Sequence, residues 1–546
     1  MAVLRPSTPS PMPCRSPCAD RDRDRLRPVR LCPDPDLPRL DRAGHAGARQ
    51  DDLCRAAPRH RRGAAMSWFL TLPLAIPFAT AVLAGLSIRS GAGRWVSLVG
   101  MVAQLLSALF LLSAVSAQGV ISGQMGGWPA PFGITLVADH LSAVLVTVTA
   151  AVGLAVAVYA VGEIEDRLER LGYHALFNIL IAGVTGSFLT GDIFNLYVWF
   201  EVMLIASFGL LILGGSKAQI DGGVRYVALN LVSTVLFLTG IGLLYGMTGT
   251  LNMADLAGVA DTVDPGLLTV IAMLFLVAFG VKAAIFPLFF WLPASYHTPA
   301  YAVSAVFAGL LTKVGAYALI RTFTLIFDHD AAFTQPILMW VAGLTMVVGV
   351  LGAAAQTEVR KLLSFTIVSG IGYILLGLSL GTQLGMTGGL FYLVHTMIVT
   401  TGLFLIAGVM ERVGGSSYLG KVGGLYGTAP VLATLFFITA FSLAGFPPLS
   451  GFWPKFLLVK ASLDISAVWL AVAALVTGLL TIFVMTRIWG EAFWTPHPEA
   501  RHPRLTTIDV TERRLMLAPI AALMLATVLL GLLPQPLIGF LQVASD

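Results

Sequence analysis

The sequence predicts an all-α polytopic membrane protein of about fourteen transmembrane helices, and three observations carry that expectation. Hydrophobic residues make up 57% of the 546-residue chain and charged ones 12%, about half the charged share of an ordinary soluble domain. Apolar stretches of the roughly 20 residues that a bilayer crossing needs begin at Trp68 and follow one another almost to the C-terminus. The loops between them are short, and Lys and Arg collect on alternate ones.

Residues 1–65 are a different material from residues 66–546. They hold fourteen arginines, eight aspartates, ten of the 29 prolines and no lysine. Without them the body carries 20 basic and 21 acidic residues, so the formal charge of +5 arises in the tail and does not point to nucleic acid. All four cysteines, Cys14, Cys18, Cys32 and Cys54, also lie there. The body therefore offers no thiolate to an iron–sulfur cluster or a structural zinc, and no metal or cofactor is expected. No apolar run precedes Met66, which argues against a signal peptide. The tail reads as a disordered extension, or as upstream sequence before a true start at Met66, where MSWFLTLPLAIPFATAVLAG enters a membrane helix directly.

The expected helix cores run in order at 68–88, 95–117, 141–161, 174–190, 193–213, 226–247, 267–292, 301–326, 336–355, 362–380, 386–410, 429–453, 465–486 and 515–541. Cytoplasmic loops retain Lys and Arg. Arg89 and Arg94 follow the first core, Arg167 and Arg170 the third, and Lys217 and Arg225 the fifth. Arg360 and Lys361 follow the ninth, Arg412 and Lys421 the eleventh, and Arg487, Arg501, Arg504, Arg513 and Arg514 the thirteenth. The other loops carry Asp192, Asp255, Asp261, Asp264, Asp328 and Asp330 instead. Both ends of the 66–546 body are therefore expected on the outer face, periplasmic in a bacterial inner membrane. With no sizeable soluble domain, any chemistry belongs inside the helices or to partner subunits.

Three ionisable residues interrupt apolar runs: Glu201 in the fifth core, Lys282 in the seventh and Lys313 in the eighth. A carboxylate left in hydrocarbon costs at least about 2.5 kcal/mol, so such residues mark ion pathways more often than packing. None has an opposite charge within one turn of its own helix, so the most economical reading is that they compensate one another across helices. Lys282 is the preferred partner of Glu201, although helix geometry alone does not choose between the two lysines. Such a pair suits proton movement, because burial favours both neutral forms while pairing favours both charged ones. A static bridge that fixes helix packing is the alternative.

Two cores are expected to be broken. Pro287 follows Lys282 in the seventh, and Pro447 and Pro448 precede Lys455 in the twelfth; proline removes a donor from the helix ladder. Paired interrupted helices mark transporters built from repeats. Lys455 is either part of the path or a snorkelling lysine at a membrane edge. His297 and His395 are relay candidates, since histidine titrates near neutrality, and His395 reads equally well as a hydrogen-bonded core residue. Asp139 is expected to cap the third helix.

The stretches FNLYVWFEVMLIASFGLL, FWLPASYHTPAYAVSAVFAGLLTKVGAYALIR and GFPPLSGFWPKFLLVKA resemble the antiporter-like subunits shared by respiratory complex I and the Mrp (Mnh) multisubunit sodium/proton antiporters, and look most like the MrpD (MnhD) component of the latter. The resemblance covers the chain from about Met66 onward. It implies fourteen helices with two inverted five-helix repeats, helices 4–8 and 9–13, and breaks in helices 7 and 12. It also implies that Glu201 and Lys282 form an ion pair, that Lys313 is a central lysine, and that Lys455 ends a hydrophilic axis. Many relatives carry a helix 11 lysine shortly after the histidine, whereas here His395 is followed by Thr396, Met397, Ile398, Val399 and Thr400. Thr400 passes a hydrogen bond but holds no charge.

The expectation is thus a non-enzymatic, proton-conducting subunit with a path through Glu201, Lys282, Lys313, His395 and Lys455, sodium movement elsewhere in the complex, and subunits A, B, C, E, F and G as partners. The alternatives are the corresponding pump subunit of an NADH dehydrogenase or membrane-bound hydrogenase, and a scaffold whose buried charges serve assembly.

Overall fold

The computed structural model describes residues 63–497 and 510–545, so all but the end of the 1–65 segment lies outside the described residues. Among the described residues, twelve helices are long and apolar enough to cross a membrane, and two shorter apolar helices, Tyr173–Leu189 and Pro430–Ala444, accompany them. Each of the fourteen expected cores overlaps one of these helices, and three of the cores extend into a second helix.

The first six are α1 (Gly63–Leu86), α2 (Gly93–Gln118), α3 (His140–Glu163), α4 (Tyr173–Leu189), α5 (Ile193–Ile212) and α6 (Lys217–Thr248). The seventh core divides into α7 (Pro265–Ala283) and the short α8 (Trp291–Ser295). After it come α9 (Tyr301–Leu325), α10 (Ala331–Ala354), α11 (Val359–Ser379) and α12 (Gln383–Gly414). The twelfth core divides into α13 (Pro430–Ala444) and α14 (Phe452–Asp464), and α15 (Val468–Ile488), α16 (Val510–Leu532) and α17 (Gln535–Ser545) complete the order.

The helix starts follow from local chemistry. Asp139 accepts the Ser142 N–H at 2.7 Å to cap α3, and Asp192 does the same for α5 through Asn195. Each satisfies a donor that the first turn would leave unpaired. Ser216 and Gln219 form a capping box that starts α6 at Lys217, well before the expected core at 226. Lys217 and Arg225 thus lie on the helix rather than in the loop.

Other boundaries also differ from the sequence expectation. A hairpin of β1 (Ile121–Gln124) and β2 (Thr135–Ala138), antiparallel with Ile121 opposite Ala138, joins α2 to α3. The segment 515–541 is two helices, because Pro534 cannot continue the ladder of α16. Lys455, by contrast, follows the break as the prolines imply and lies in α14.

Backbone hydrogen bonds recur between the two halves. The Ile193 N–H donates to Leu251 O and the Met253 N–H to Gly191 O, both at 2.9 Å; Val359 to Ser417 and Leu419 to Thr357 repeat the pattern at the same distance. The breaks match too. At the end of α7, Ala284 (φ 62°) donates to Gly280 and Val281; at the end of α13, Gly445 (φ 92°) donates to Phe441 and Ser442.

Burial is uneven. The apolar windows of α9 and α12 are wholly buried, whereas those of α2 and α6 are only 33% buried. The polar side chains that matter are carried by the inner helices and by the broken pairs.

Candidate functional site: a buried polar axis

Glu201 lies near the middle of α5, where Thr234 of α6 donates to its Oε1 at 2.7 Å. Lys282 occupies the last turn of α7 and is 7% exposed. Its position follows from the break: a helix C-terminus leaves carbonyls unpaired and carries the negative end of the dipole, which favours a cation. Trp291 of α8 turns back and donates its Nε1 to Val281 O at 2.9 Å, and Phe200 places its ring centroid 5.3 Å from the Lys282 ammonium. Phe200, Tyr226, Asn230, Trp291 and Lys282 line one small cavity. Glu201 and Lys282 are within electrostatic reach, but no ion pair within 4.0 Å joins them among the described residues, where the Glu201 hydrogen bond is to Thr234.

Lys313 of α9 is 1% exposed. Residues Phe307–Leu311 form a π turn just before it. The wider turn takes carbonyls out of the ordinary i→i+4 ladder, and Lys313 Nζ donates to one of them, Ala308 O, and to Thr400 Oγ1 of α12 at 3.4 Å. Thr400 in turn donates to Thr396 O at 2.6 Å and approaches Ala308 O at 3.1 Å. The central lysine and the threonine that stands near the missing helix 11 lysine are therefore in direct contact. Gly315, two residues on from Lys313, lies against the end of α7; a Cβ there would stand 2.5 Å from Ala283 N and 2.7 Å from the Lys282 carbonyl carbon. Only hydrogen fits, so the helices bearing the two lysines meet backbone to backbone.

His395 of α12 is fully buried. Its Nδ1 meets Ser450 Oγ at 2.7 Å, while Nε2 has no hydrogen-bond partner among the described residues. Ser450 bonds Thr527 of α16, and Ser442 bonds both Thr527 (2.8 Å) and Ser450 (3.2 Å), so the histidine sits on a hydroxyl cluster inside the second break. Both Lys313 and Lys455 are within its electrostatic reach. Lys455 donates to Leu443 O and Ala444 O, each at 2.9 Å, and lies 5.0 Å from the Tyr373 ring centroid. These are the last carbonyls of α13. Lys282 thus sits on the half-helix whose end it occupies, whereas Lys455 reaches the equivalent end from across the break.

His297 stands apart from this row. Its Nδ1 contacts Pro293 O at 2.9 Å, and the charges of Glu358, Lys361 and Arg360 act on it. It belongs with a network at the Arg-rich end, where Arg360 pairs with Glu411 at 3.1 Å and stacks 3.7 Å from the Tyr301 ring centroid. Tyr301 also bonds Glu411, and Arg412 pairs with Glu512.

Several polar residues of the axis give no sequence signal. Thr234, Ser442, Ser450 and Thr527 are hydroxyls of a kind scattered through every helix, and only packing selects them. Arg321 and Asp139 are legible in part. Arg321 ends the same apolar run as Lys313, and the cap residue Asp139 also takes Arg321 as an ion-pair partner at 2.5 Å. Burial raises the Asp139 carboxyl, but the Arg321 charge and the Ser142 N–H outweigh it and hold the group below its usual range.

The matches to known proteins agree with this architecture. Residues 190–481, which span both breaks and the row from Glu201 to Lys455, match the family model described as NADH:quinone oxidoreductase/Mrp antiporter, transmembrane. The chain is 44% identical over 484 residues to the D component of the Na(+)/H(+) antiporter of Alkalihalophilus pseudofirmus, covering 88% of this chain and 97% of that one. Among solved structures, a chain of the Mrp complex from Dietzia sp. DQ12-45-1b superposes with a TM-score of 0.81 at 34% identity, over 88% of this chain and 97% of the other. A chain of respiratory complex I from Thermus thermophilus gives 0.76 at 25%, over 87% and 99%. A multi-pass helical membrane protein with two matching broken helices and a near full-length relative of this similarity belongs to the MrpD branch of the antiporter-like membrane subunit family.

Proposed function

We propose that this chain conducts protons within a multisubunit Na+/H+ antiporter of the bacterial inner membrane, as a transporter subunit without covalent chemistry of its own. The observation that carries the reading is the row Glu201, Lys282, Lys313, His395 and Lys455 across five spans, with Lys282, Lys313 and His395 buried and each of the three lysines beside a helix interruption. Carbonyls at the interruptions hold Lys313 and Lys455, Lys282 sits at the end of its own half-helix, and none of the three has an ion-pair partner among the described residues, so its proton is not committed to a permanent salt bridge. His395 and the Ser450–Thr527–Ser442 hydroxyls supply groups that both accept and donate, bridging the interval that lacks a helix 11 lysine.

Five helices separate the matching bond patterns at Asp192 and Glu358. An odd number of crossings sets the second repeat upside down to the first, giving each face of the membrane one broken helix. Both ends of the 66–546 body face outward in this reading, and subunits A, B, C, E, F and G complete the complex. The redox-driven pump shares the fold, but identity to its structural neighbour is lower, at 25% against 34% for the Mrp chain. Inverted vesicles holding the assembled complex should exchange Na+ for H+ without NADH or any quinone. Proton movement that requires a redox substrate would transfer the chain to the second reading.

A further inference from the structure

Helix α3 brackets α9 at both ends. At one end Glu163 accepts the N–H groups of Tyr301 (2.6 Å) and Ala302 (2.7 Å), the first residues of α9. At the other, Asp139 pairs with Arg321 at 2.5 Å. Lys313 lies between them. Lys313, Tyr317 and Arg321 are spaced four residues apart and share one stripe of the helix, with about 12 Å from the first to the last at 1.5 Å per residue. Arg321 Nε donates to Tyr317 Oη at 3.2 Å and its Nη2 to Ser142 Oγ at 3.4 Å; Tyr317 Oη donates to Phe188 O at 3.2 Å.

Arg321 also stands in the wall between two cavities. One, of about 440 Å³, lies under the β1–β2 hairpin and includes Gln124, Thr190, Asn252, Asp255, Tyr317 and Arg321 in its lining. The other, of about 300 Å³, includes Thr324, Asp328, Gln335 and Arg321. Liquid water takes about 30 Å³ per molecule and needs polar partners, so both cavities can hold several waters. The hydrophilic axis ending at Lys455 makes no use of this wall.

We propose that Tyr317, Arg321 and Asp139 form a gated port through which Lys313 exchanges protons directly with the Asp139 face, separately from the Lys455 end; this rests on the reading that Lys313 carries protons. The Tyr317 hydroxyl accepts a proton on one side as it donates on the other, and so stays neutral. The guanidinium keeps its proton. Arg321 is a positioning residue: held by Asp139, it lines the hairpin cavity beside Tyr317 and ties up the Tyr317 hydroxyl through its Nε, and the ion pair is the closed state.

The test measures passive, sodium-independent decay of a pH gradient in vesicles holding the assembled complex. Arg321→Gln should raise the decay several-fold; the increase should vanish in Arg321→Gln/Lys313→Ala and persist in Arg321→Gln/Lys455→Ala. Asp139→Asn keeps an oxygen to cap α3 but loses the charge, and should give a smaller leak with the same dependence on Lys313 alone. It carries the test if Arg321→Gln fails to assemble. A tight Arg321→Gln complex, a leak that survives loss of Lys313, or one that disappears with Lys455 would overturn the port. Normal antiport by Lys313→Ala alone would instead overturn the conduction path on which the port depends.

Discussion

Gly315→Ala adds a single methyl group and should slow cation/proton exchange by about 10- to 100-fold. A Cβ at this position would lie 2.5, 2.7 and 2.9 Å from Ala283 N, Lys282 C and Ala283 Cα, backbone atoms that cannot rotate aside. Restoring ordinary contact requires α9 to retreat from the end of α7 by about 1 Å. Overpacking of this kind costs about 1–3 kcal/mol, which a large helical assembly tolerates, so the protein should still insert and assemble. The displacement separates Lys282 from Lys313, and a misplacement of about 1 Å in a reacting constellation is worth about 10²-fold in rate. Sodium-dependent collapse of a pH gradient, read by a fluorescent amine in vesicles with matched amounts of complex, is the assay. Gly246→Ala is the control: nothing lies within 4 Å of its added carbon, and the change should stabilise α6 by about 0.5–1 kcal/mol at an unchanged rate. Wild-type exchange by assembled Gly315→Ala would refute the argument that this contact sets the spacing of the lysines.

Thr400→Lys would place a second ammonium beside Lys313, whose Nζ lies 3.4 Å from Thr400 Oγ1. At about 4 Å and an effective dielectric of about 20 the repulsion is about 4 kcal/mol, so the pH profile of exchange should shift or the rate collapse, while Thr400→Ser stays near wild type. An unchanged profile would place position 400 off the path. The Asp139 carboxyl has an ordinary value of 3.8 and is held lower in the folded protein, chiefly because the nearby Arg321 charge outweighs the opposing effect of burial. Its contribution to stability is therefore present above pH 3.8 and is lost as pH falls through the lower folded value. The melting temperature of Asp139→Asn should lie below wild type at neutral pH, with the gap closing under acid; a gap independent of pH would contradict the ion pair.

The sequence makes the crossings legible because length and hydropathy alone determine them. It does not show which crossings face lipid: α6 and α12 read alike as apolar runs, yet one is largely exposed and the other buried, since hydrocarbon and a helix interior favour the same side chains. Lys282 and Lys313 are visible as isolated charges. Their surroundings are not, because the π turn at Phe307–Leu311 and the αL residue Ala284 leave no mark on hydropathy or charge. Reading Glu201 and Lys282 as direct partners assumes that opposite charges close to contact. In this structure Thr234 takes the carboxylate, and the lysine sits at a helix end beside an aromatic ring.

The central claim is that charge exchange along the row from Glu201 to Lys455 moves protons, and Glu201→Gln tests it most directly. The substitution preserves size and leaves an amide oxygen able to accept the Thr234 hydroxyl, while removing the charge that acts on Lys282. Simultaneous measurement of Na+ and H+ flux in vesicles, with assembly verified by co-purification of the other subunits, should show both fluxes falling at least about tenfold, equivalent to about 1.4 kcal/mol of barrier. Both fluxes at the wild-type rate in the assembled Glu201→Gln complex would contradict the account.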